Sequence, residues 1–282
     1  TVTRVSVGAE ETVNAPDLKG YRLADTSPKR LRIERAEERN VVEFLYAAYF
    51  SGGSRGAVPE LLNGDEHFRY LLGYEDGTLR PERSITREEI AAVFYRLLKG
   101  ETRKSRRTDA HGFLDVEPAR WSATEIGTMR KIGVVQGYPE GDYKPAQPVT
   151  RAEFAVIAAR FGSADGGGAP VFSDIRGHWA EGYIVGIGAS GWIDGYPDGT
   201  FQPNQAITRA EAAKIINRML CRAVDRDGAA QTLMTRWPDL SEAHWAYYEL
   251  TEATVSHAYT RRASDDTEDW TGHIEEIDFD ID

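Results

Sequence analysis

The sequence predicts a mainly α fold, assembled from repeated helix-loop-helix units behind a small N-terminal β unit. Three observations predict it: a phrase recurs three times at one spacing, each copy runs into a helical apolar stripe, and the first fifty residues alternate instead. The phrase is Gly-Tyr, an acidic residue, Gly, a Pro, and then Thr-Arg-x-Glu. Its copies run from Gly73-Tyr74 to Thr86-Arg87-Glu88-Glu89, from Gly137-Tyr138 to Thr150-Arg151-Ala152-Glu153, and from Gly195-Tyr196 to Thr208-Arg209-Ala210-Glu211. First Gly and Arg are 14 residues apart in every copy. So rigid a period points to one supersecondary unit used three times.

The β unit is read over residues 1–50. Val5 and Val7, Leu31 and Ile33, and Val42, Phe44 and Tyr46 each show the period of two of half-buried strands. Pro16, Gly20 and Ser27-Pro28 punctuate them. Thr1–Val7 reads like the middle of a strand, so the chain is expected to be a fragment or a mature product. Residues 51–57, rich in Gly and Ser, read as a linker.

Beyond residue 58 the period becomes helical. The stripes are Ile90, Val93, Phe94, Leu97 and Leu98; Phe154, Ile157, Ala158 and Phe161; and Ala212, Ile215, Ile216, Met219 and Leu220. A second block separates these helices: Phe113-Leu114-Asp115 before Trp121, Phe172-Ser173-Asp174 before His178-Trp179-Ala180, and Trp237-Pro238-Asp239 before His244-Trp245-Ala246. Each Trp opens a shorter helical pattern, as Ile184, Ile187 and Trp192 do after Trp179. The order is staggered: the first Gly-Tyr loop has no Trp helix before it, and the last Trp helix has no such loop after it. Ring closure over residues 58–264, with the C-terminal helix serving the loop at Gly73, solves this economically. A degenerate local substitute built from Leu61, Leu62, His67 and Phe68 is the other solution. Lys99–Arg107 and Ser163–Ala169 read as loops, and the acidic residues 265–282 as a tail.

Composition limits the function. The 282 residues carry a net charge of −11 and a pI near 5.2, which argues against nucleic acid and anionic membrane surfaces as partners. Cys221 is the single cysteine, so no intrachain disulfide exists. No apolar run approaches the ~20 residues of a membrane span, and no signal peptide is read. The chain has no zinc-protease, nucleophile-elbow or phosphate-loop motif, so no enzyme, cofactor or metal site is assigned. An EF-hand's alternating oxygen ligands are missing from the Gly-Tyr loops.

The repeated residues have structural readings first. Thr-x-x-Glu before an apolar stripe is a capping box. The loop glycines permit positive φ. His178 and His244 suit packing. Trp121, Trp179 and Trp245 fit a core, or a cleft edge where a flat ring meets the C–H face of a sugar. Arg87, Arg151 and Arg209 are less easily explained, because the first helical turn favours anions. Beside free N-terminal amides they would make a carboxylate receptor; an internal salt bridge is the alternative. With Gly73, Gly137, Gly195, Asp115, Asp174 and Asp239, these arginines and tryptophans form the candidate ligand-binding set.

Phe-Ser-Asp-Ile-Arg-Gly-His-Trp-Ala (172–180), Gly-Tyr-Pro-Asp-Gly-Thr-Phe-Gln-Pro (195–203) and Ile-Thr-Arg-Ala-Glu (207–211) resemble the signature of the surface-layer homology (SLH) family, over residues 60–260. The resemblance implies a three-fold pseudo-symmetric helical spindle with grooves between repeats. It also implies non-covalent, non-enzymatic anchoring of an exported protein to secondary cell-wall polysaccharide, often pyruvylated, outside the cell. A protein–protein docking module for other surface proteins is the alternative. In the family the Thr-Arg-Ala-Glu arginine meets the ligand carboxylate, which maps to Arg87, Arg151 and Arg209. The first copy departs in Glu88, and the second in Glu140, Asp142 and Ala119-Arg120-Trp121. The groove around Trp179, Gly195 and Arg209 is therefore expected to be the most competent. Thr12–Pro16, Gly20-Tyr21 and Val41–Tyr46 resemble the end of a mucin-binding-protein-like β repeat, which implies a stalk.

Overall fold

A computed structural model describes residues 9–13, 21–23, 29–33, 46–48, 58–162, 172–229 and 235–279. Val5, Val7, Val42, Phe44, the linker 51–57 and the loop 163–169 lie outside them. The chain divides into two compact units: Thr1–Ser54 with Glu242–Trp245, and Arg55–Ser241 with Ala246–Asp282.

In the first unit, strands β1 (Glu10–Val13), β2 (Tyr21–Leu23), β3 (Lys29–Arg32) and β4 (Tyr46–Ala48) form two antiparallel pairs, β1 with β3 and β2 with β4. Glu10 stands opposite Arg32, an opposite-charge register that favours the ladder. Leu31 and Ile33 are half-buried while Arg30 and Arg32 are exposed, as a period of two requires.

The second unit is mainly helical: α1 (Arg87–Leu97), α2 (Gly100–Arg106), α3 (Ala123–Lys131), α4 (Arg151–Ala159), α5 (Glu181–Ala189), α6 (Arg209–Met219), α7 (Arg226–Ala229) and α8 (Tyr247–Thr254). An antiparallel hairpin follows, β5 (His257–Arg261) and β6 (Glu268–His273). No helix among the described residues is long and apolar enough to cross a membrane. Helices α1, α4 and α6 each start in a complete capping box, from Thr86/Glu89, Thr150/Glu153 and Thr208/Glu211. Each packs against a Trp-block helix, α1 on α3, α4 on α5 and α6 on α8. The three apolar stripes are buried in one continuous core.

The copies are joined through backbone. Ile85 N–H donates to Ile207 O, Ile207 N–H to Val149 O, and Val149 N–H to Ile85 O, at 2.9–3.1 Å. These three bonds close a cycle, and all three residues are 0% exposed. The loops share one construction. Asp115 accepts from the Tyr143 and Lys144 amides, Asp174 from Phe201 and Gln202, and Asp239 from Leu79 and Arg80. Lys144, Gln202 and Arg80 all have φ of 54–57°, a left-handed conformation that the double acceptor holds in place.

Gly73, Gly137 and Gly195 serve close packing. A Cβ would lie 2.2 Å from the Trp237 ring at Gly73, 2.4 Å from Phe113 at Gly137 and 2.6 Å from Phe172 at Gly195. The positive φ belongs to the second glycines, Gly77, Gly141 and Gly199. The Trp237-Pro238-Asp239 block thus serves the loop at Gly73 as the Phe113 and Phe172 blocks serve the other two. Leu62 and His67 do different work, bridging to Leu98 and His257.

Two readings need correction. Lys99–Arg107 is not a loop: α2 spans most of it, and Arg103 is buried, donating to Leu98 O and lying over the Phe279 ring. The acidic stretch 265–282 is not a free tail, because β6 lies within it and buries Trp270 and Glu268. Charge density masked the alternation around Trp270. Replacing Gly195 with Ala forces the Phe172 ring or the Thr200 carbonyl to move. It is expected to cost about 1–3 kcal/mol of stability in denaturant unfolding, whereas Ala at the exposed, helical Gly182 should not destabilise.

Candidate functional site

The helix starts are not open amide nests, contrary to the carboxylate-receptor reading. The Arg87 and Glu88 amides donate to Gln147 O and Pro145 O, those of Arg151 and Ala152 to Gln205 O and Pro203 O, and those of Arg209 and Ala210 to Arg83 O and Pro81 O. The next amide of each helix donates to the capping Thr hydroxyl. Each helix start is therefore capped by another copy: the first by the second, the second by the third and the third by the first.

The arginine side chains follow the same cycle. Arg87 donates from Nε to Tyr143 O and from Nη2 to Gln136 O, both at 2.7 Å, and its Nη1 meets Glu153 at 3.2 Å. Arg151 donates to Phe201 O and Asp194 O, with Nη1 3.2 Å from Glu211. Arg209 donates to Leu79 O and Leu72 O, with Nη1 4.0 Å from Glu89. All three are buried. The internal salt bridge thus describes Arg87 and Arg151 better than a free receptor does, and the partners are the capping-box glutamates of the next copy.

A tyrosine completes each joint. Tyr74, Tyr138 and Tyr196 donate to Glu89, Glu153 and Glu211 at 2.7–2.9 Å, and each ring lies under the incoming guanidinium. Burial, together with the bond to Glu211, pushes the Tyr196 hydroxyl up to about 12. These Tyr–Glu pairs were missed at the sequence level, although each Tyr stands 15 residues before its Glu in every copy. The joint at Arg209 differs. Gln147 and Gln205 donate to the tyrosine hydroxyls of their joints, but Arg83 takes that position beside Tyr74 and also holds Glu89 at 2.8 Å. Glu89 is thereby drawn to Arg83, and Arg209 Nη1 is left the least engaged of the three. Burial pushes the Glu89 carboxyl up, but the Thr86 amide, the Tyr74 hydroxyl and the two arginines outweigh it and hold the pKa below its ordinary value.

Trp179, Gly195 and Arg209 are not brought together. Gly195 lies in the loop that Arg151 enters, and Arg209 enters the loop at Gly73. His178, next to Trp179, is tied to the loop that caps the Arg151 helix. The Ala152 amide, next to Arg151, donates to Pro203, and the neighbouring Asn204 side chain meets His178 at 3.3 Å. In the joint of Arg87 the departures compensate one another: Arg120 stands where His178 does and makes a two-pronged ion pair with Glu88, which Ser122 also reaches. The core reading of the tryptophans is corrected too, because Trp121 is 57% exposed, Trp179 64% and Trp245 45%. Trp245 groups with the first unit, its ring 5.7 Å from that of His244. Asp115, Asp174 and Asp239 hold loop amides, and Gly73, Gly137 and Gly195 make room for aromatic rings. A cavity of about 80 Å³ lies elsewhere, between Phe68, Leu72, Arg96 and Phe279, and is too small for a sugar.

Arg151→Ala is expected to lower stability by about 3–5 kcal/mol, because it strands two carbonyls and a partly buried carboxylate, while Trp179→Ala leaves the melting temperature within a few degrees of wild type. The pair is compared by thermal and urea unfolding. The depressed Glu89 pKa contributes stability that is fully present above its unfolded value of 4.5 and is lost as pH falls through the lower folded value. A pH series of melting temperatures is expected to flatten in that acid range in Glu89→Gln.

The S-layer homology domain model matches residues 71–91, 112–155 and 171–213, so its three segments coincide with the three Thr-Arg-x-Glu copies. The chain is 37% identical over 214 residues to Cell surface glycoprotein 1 of Acetivibrio thermocellus, which covers 72% of this chain and 9% of that protein. It is 34% identical over 208 residues to the Cellulosome-anchoring protein of the same organism, covering 72% of this chain and 45% of that protein. An S-layer protein of Bacillus licheniformis is 31% identical over 153 residues, 52% of this chain and 17% of its own length. The chain thus spans less than half the length of each of these relatives. The three capping boxes and the three Gly-Tyr loops fall within the matched segments: the chain carries an S-layer homology domain of three repeats.

Proposed function

We propose that the chain is a non-enzymatic wall anchor that holds an exported protein to secondary cell-wall polysaccharide in grooves between repeats of a three-fold pseudo-symmetric spindle. The observation that carries this reading is the exposure of Trp121 and Trp179 beside joints whose other aromatic residues are packed. A flat, apolar ring left in water at equivalent places suits the C–H face of a sugar. The cycle of backbone bonds among Ile85, Val149 and Ile207 supports the spindle. The domain's place is outside the cell, at the wall, and cell-surface and anchoring proteins are among the relatives that share it.

In this reading an acidic substituent such as a pyruvate ketal is taken at the joint of the first loop. Arg209 Nη1 is the least committed guanidinium edge there, and Arg83 and Arg80 add charge over the same Tyr74 ring. Local cations overcome the negative charge of the whole molecule because salt screens the distant charges. The stalk reading of residues 1–50 belongs to the same proposal: the β unit would space the anchor from its cargo.

Docking of another surface protein is the second reading. Leu114, 79% exposed beside Gly141, favours it. A protein partner that Leu114→Ser releases, while polysaccharide remains bound, would support docking over wall binding.

The double variant Trp121→Ala/Trp179→Ala is expected to lose pull-down on purified wall polysaccharide with an unchanged melting temperature. Wild-type binding by that folded variant would refute the anchor mechanism. Arg83, whose side chain is 40% exposed, can be removed at small structural cost. Arg83→Ala is expected to weaken binding to pyruvylated polymer about 10–100-fold, the equivalent of a charge-assisted contact of about 1.5–3 kcal/mol, and to leave binding to depyruvylated polymer unchanged.

A further inference from the structure

A second polar cluster is sealed into the helical unit, away from the three arginine joints. His67 comes from the segment before the first Gly-Tyr loop, Glu252 from α8, His257 from the start of β5 and Glu268 from the start of β6. None is more than 1% exposed. Backbone pairing brings them together: the His257 amide donates to His67 O, and the Glu268 amide to Ala223 O beside Val224. Tyr259 stacks on the His67 ring at 3.8 Å and Trp270 on the His257 ring at 4.0 Å, walling the cluster with aromatics.

Four side-chain atoms face one another. His67 Nδ1 lies 3.1 Å from His257 Nε2, 3.4 Å from Glu252 Oε1 and 3.2 Å from Glu268 Oε2. His257 Nε2 lies 3.4 and 3.7 Å from the same two oxygens. Four ligands placed tetrahedrally at the usual zinc bond lengths of about 2.0–2.1 Å are separated by about 3.3–3.4 Å. Five of the cluster's edges, at 3.1–3.7 Å, bracket that length, and all four atoms lie within 4.8 Å of one another.

Hydrogen bonding accounts for only part of the arrangement. His257 places its Nδ1 2.9 Å from Val255 O, where Nδ1–H donates. That leaves the Nε2 lone pair turned into the cluster, as a backbone carbonyl does for a metal-bound imidazole. Among the described residues, neither oxygen of Glu252 has a hydrogen-bond donor, nor does His67 Nε2 have a partner, while Glu268 is met by the two imidazoles. Two such carboxylates, buried and in reach of each other, need a positive charge between them. Arg261 reaches only the outer oxygen of Glu268, at 3.3 Å. Arg222, also buried, feels the charge of both carboxylates but gives its hydrogen bonds to the carbonyls of Asn63, Glu66 and Phe68.

We propose that His67, Glu252, His257 and Glu268 bind one divalent zinc ion in a closed, structural site. Two imidazoles and two carboxylates are a borderline donor set that suits zinc; calcium and magnesium take more oxygen ligands. Four protein ligands and no solvent-facing edge leave no open coordination position, so the ion holds structure and does not catalyse. It clips the segment entering the first repeat to the hairpin that follows the last helix. Metal ligation thereby closes the repeat array at the place where the chain's own two ends of the domain meet.

The test uses the full chain, purified without chelator. Metal analysis by mass spectrometry is expected to find about one zinc per chain. Stripping with EDTA should lower the melting temperature by roughly 5–10 °C, and added zinc chloride should restore it. Cobalt chloride added to the stripped protein is expected to give the visible absorption of tetrahedral cobalt. Glu268→Gln and His257→Gln should each lose the bound zinc. If a variant does not fold, the cobalt spectrum of the wild-type chain decides. A chain that holds no zinc, is not stabilised by it and gives no tetrahedral cobalt band overturns the site; so does zinc retained at full occupancy in folded Glu268→Gln.

Discussion

Every Thr-Arg-x-Glu helix begins on carbonyls that another copy provides. An isolated helix leaves its first amides without partners, and a side-chain cap satisfies only some of them. Here the Thr hydroxyl takes the third amide, and the loop of another copy takes the first two. The cycle has no free end: the third helix is capped by the first loop, through Pro81 and Arg83. No copy can satisfy its own helix start, so folding of one copy depends on the others. This explains why the Pro-containing loop and the Thr-Arg-x-Glu sequence keep one spacing in all three copies.

The buried arginines reinforce that dependence. Each crosses to the same loop whose carbonyls cap its helix, and ends on a glutamate that already serves a capping box and a tyrosine. A guanidinium near a helix N-terminus is unfavourable by dipole alone. Carbonyl oxygens at Nε and Nη2, with a carboxylate beside Nη1, reverse that balance in Arg87 and Arg151. The residue a ligand hypothesis singles out is thus first a structural joint. The exposed Arg83 stands at the outer edge of the Arg209 joint, and the proposed wall binding draws on it and on the exposed tryptophans.

The residues that hold the repeats together and the exposed tryptophans are separated by burial. Asp115, Asp174 and Asp239 hold left-handed loop residues, and Gly73, Gly137 and Gly195 admit aromatic rings. Trp121 and Trp179 take no part in the core. In the proposed anchor this division lets the exposed face vary without loosening the cycle that keeps the repeats together. The proposed metal clip acts in the same sense, at the seam between the domain's first and last segments.

Much was legible in the linear pattern, because it was local. Apolar residues at helical spacing predict α1, α4 and α6, and Thr-x-x-Glu predicts their starts, since a helix and its cap are decided within a few residues. The wall-anchor family was legible because three blocks recur in order. Other features depend on residues far apart in the chain. The Trp237 block lies more than 150 residues from the Gly73 loop it packs. Arg209 was grouped with Trp179 by proximity in sequence, but the cyclic order sends it to the first loop. Whether Arg87 meets free amides or occupied carbonyls could not be read from its own helix, because the occupants belong to the next copy. His67 and Glu268 stand at opposite ends of the domain, so no spacing rule could join them. The sequence by itself determined which segments become helices and that they repeat, for those choices rest on short-range periodicity and capping. Only the tertiary structure decided which arginine enters which loop, which tryptophans stay in water and which buried imidazoles face carboxylates, because burial and partner geometry exist only once the ring of repeats has closed.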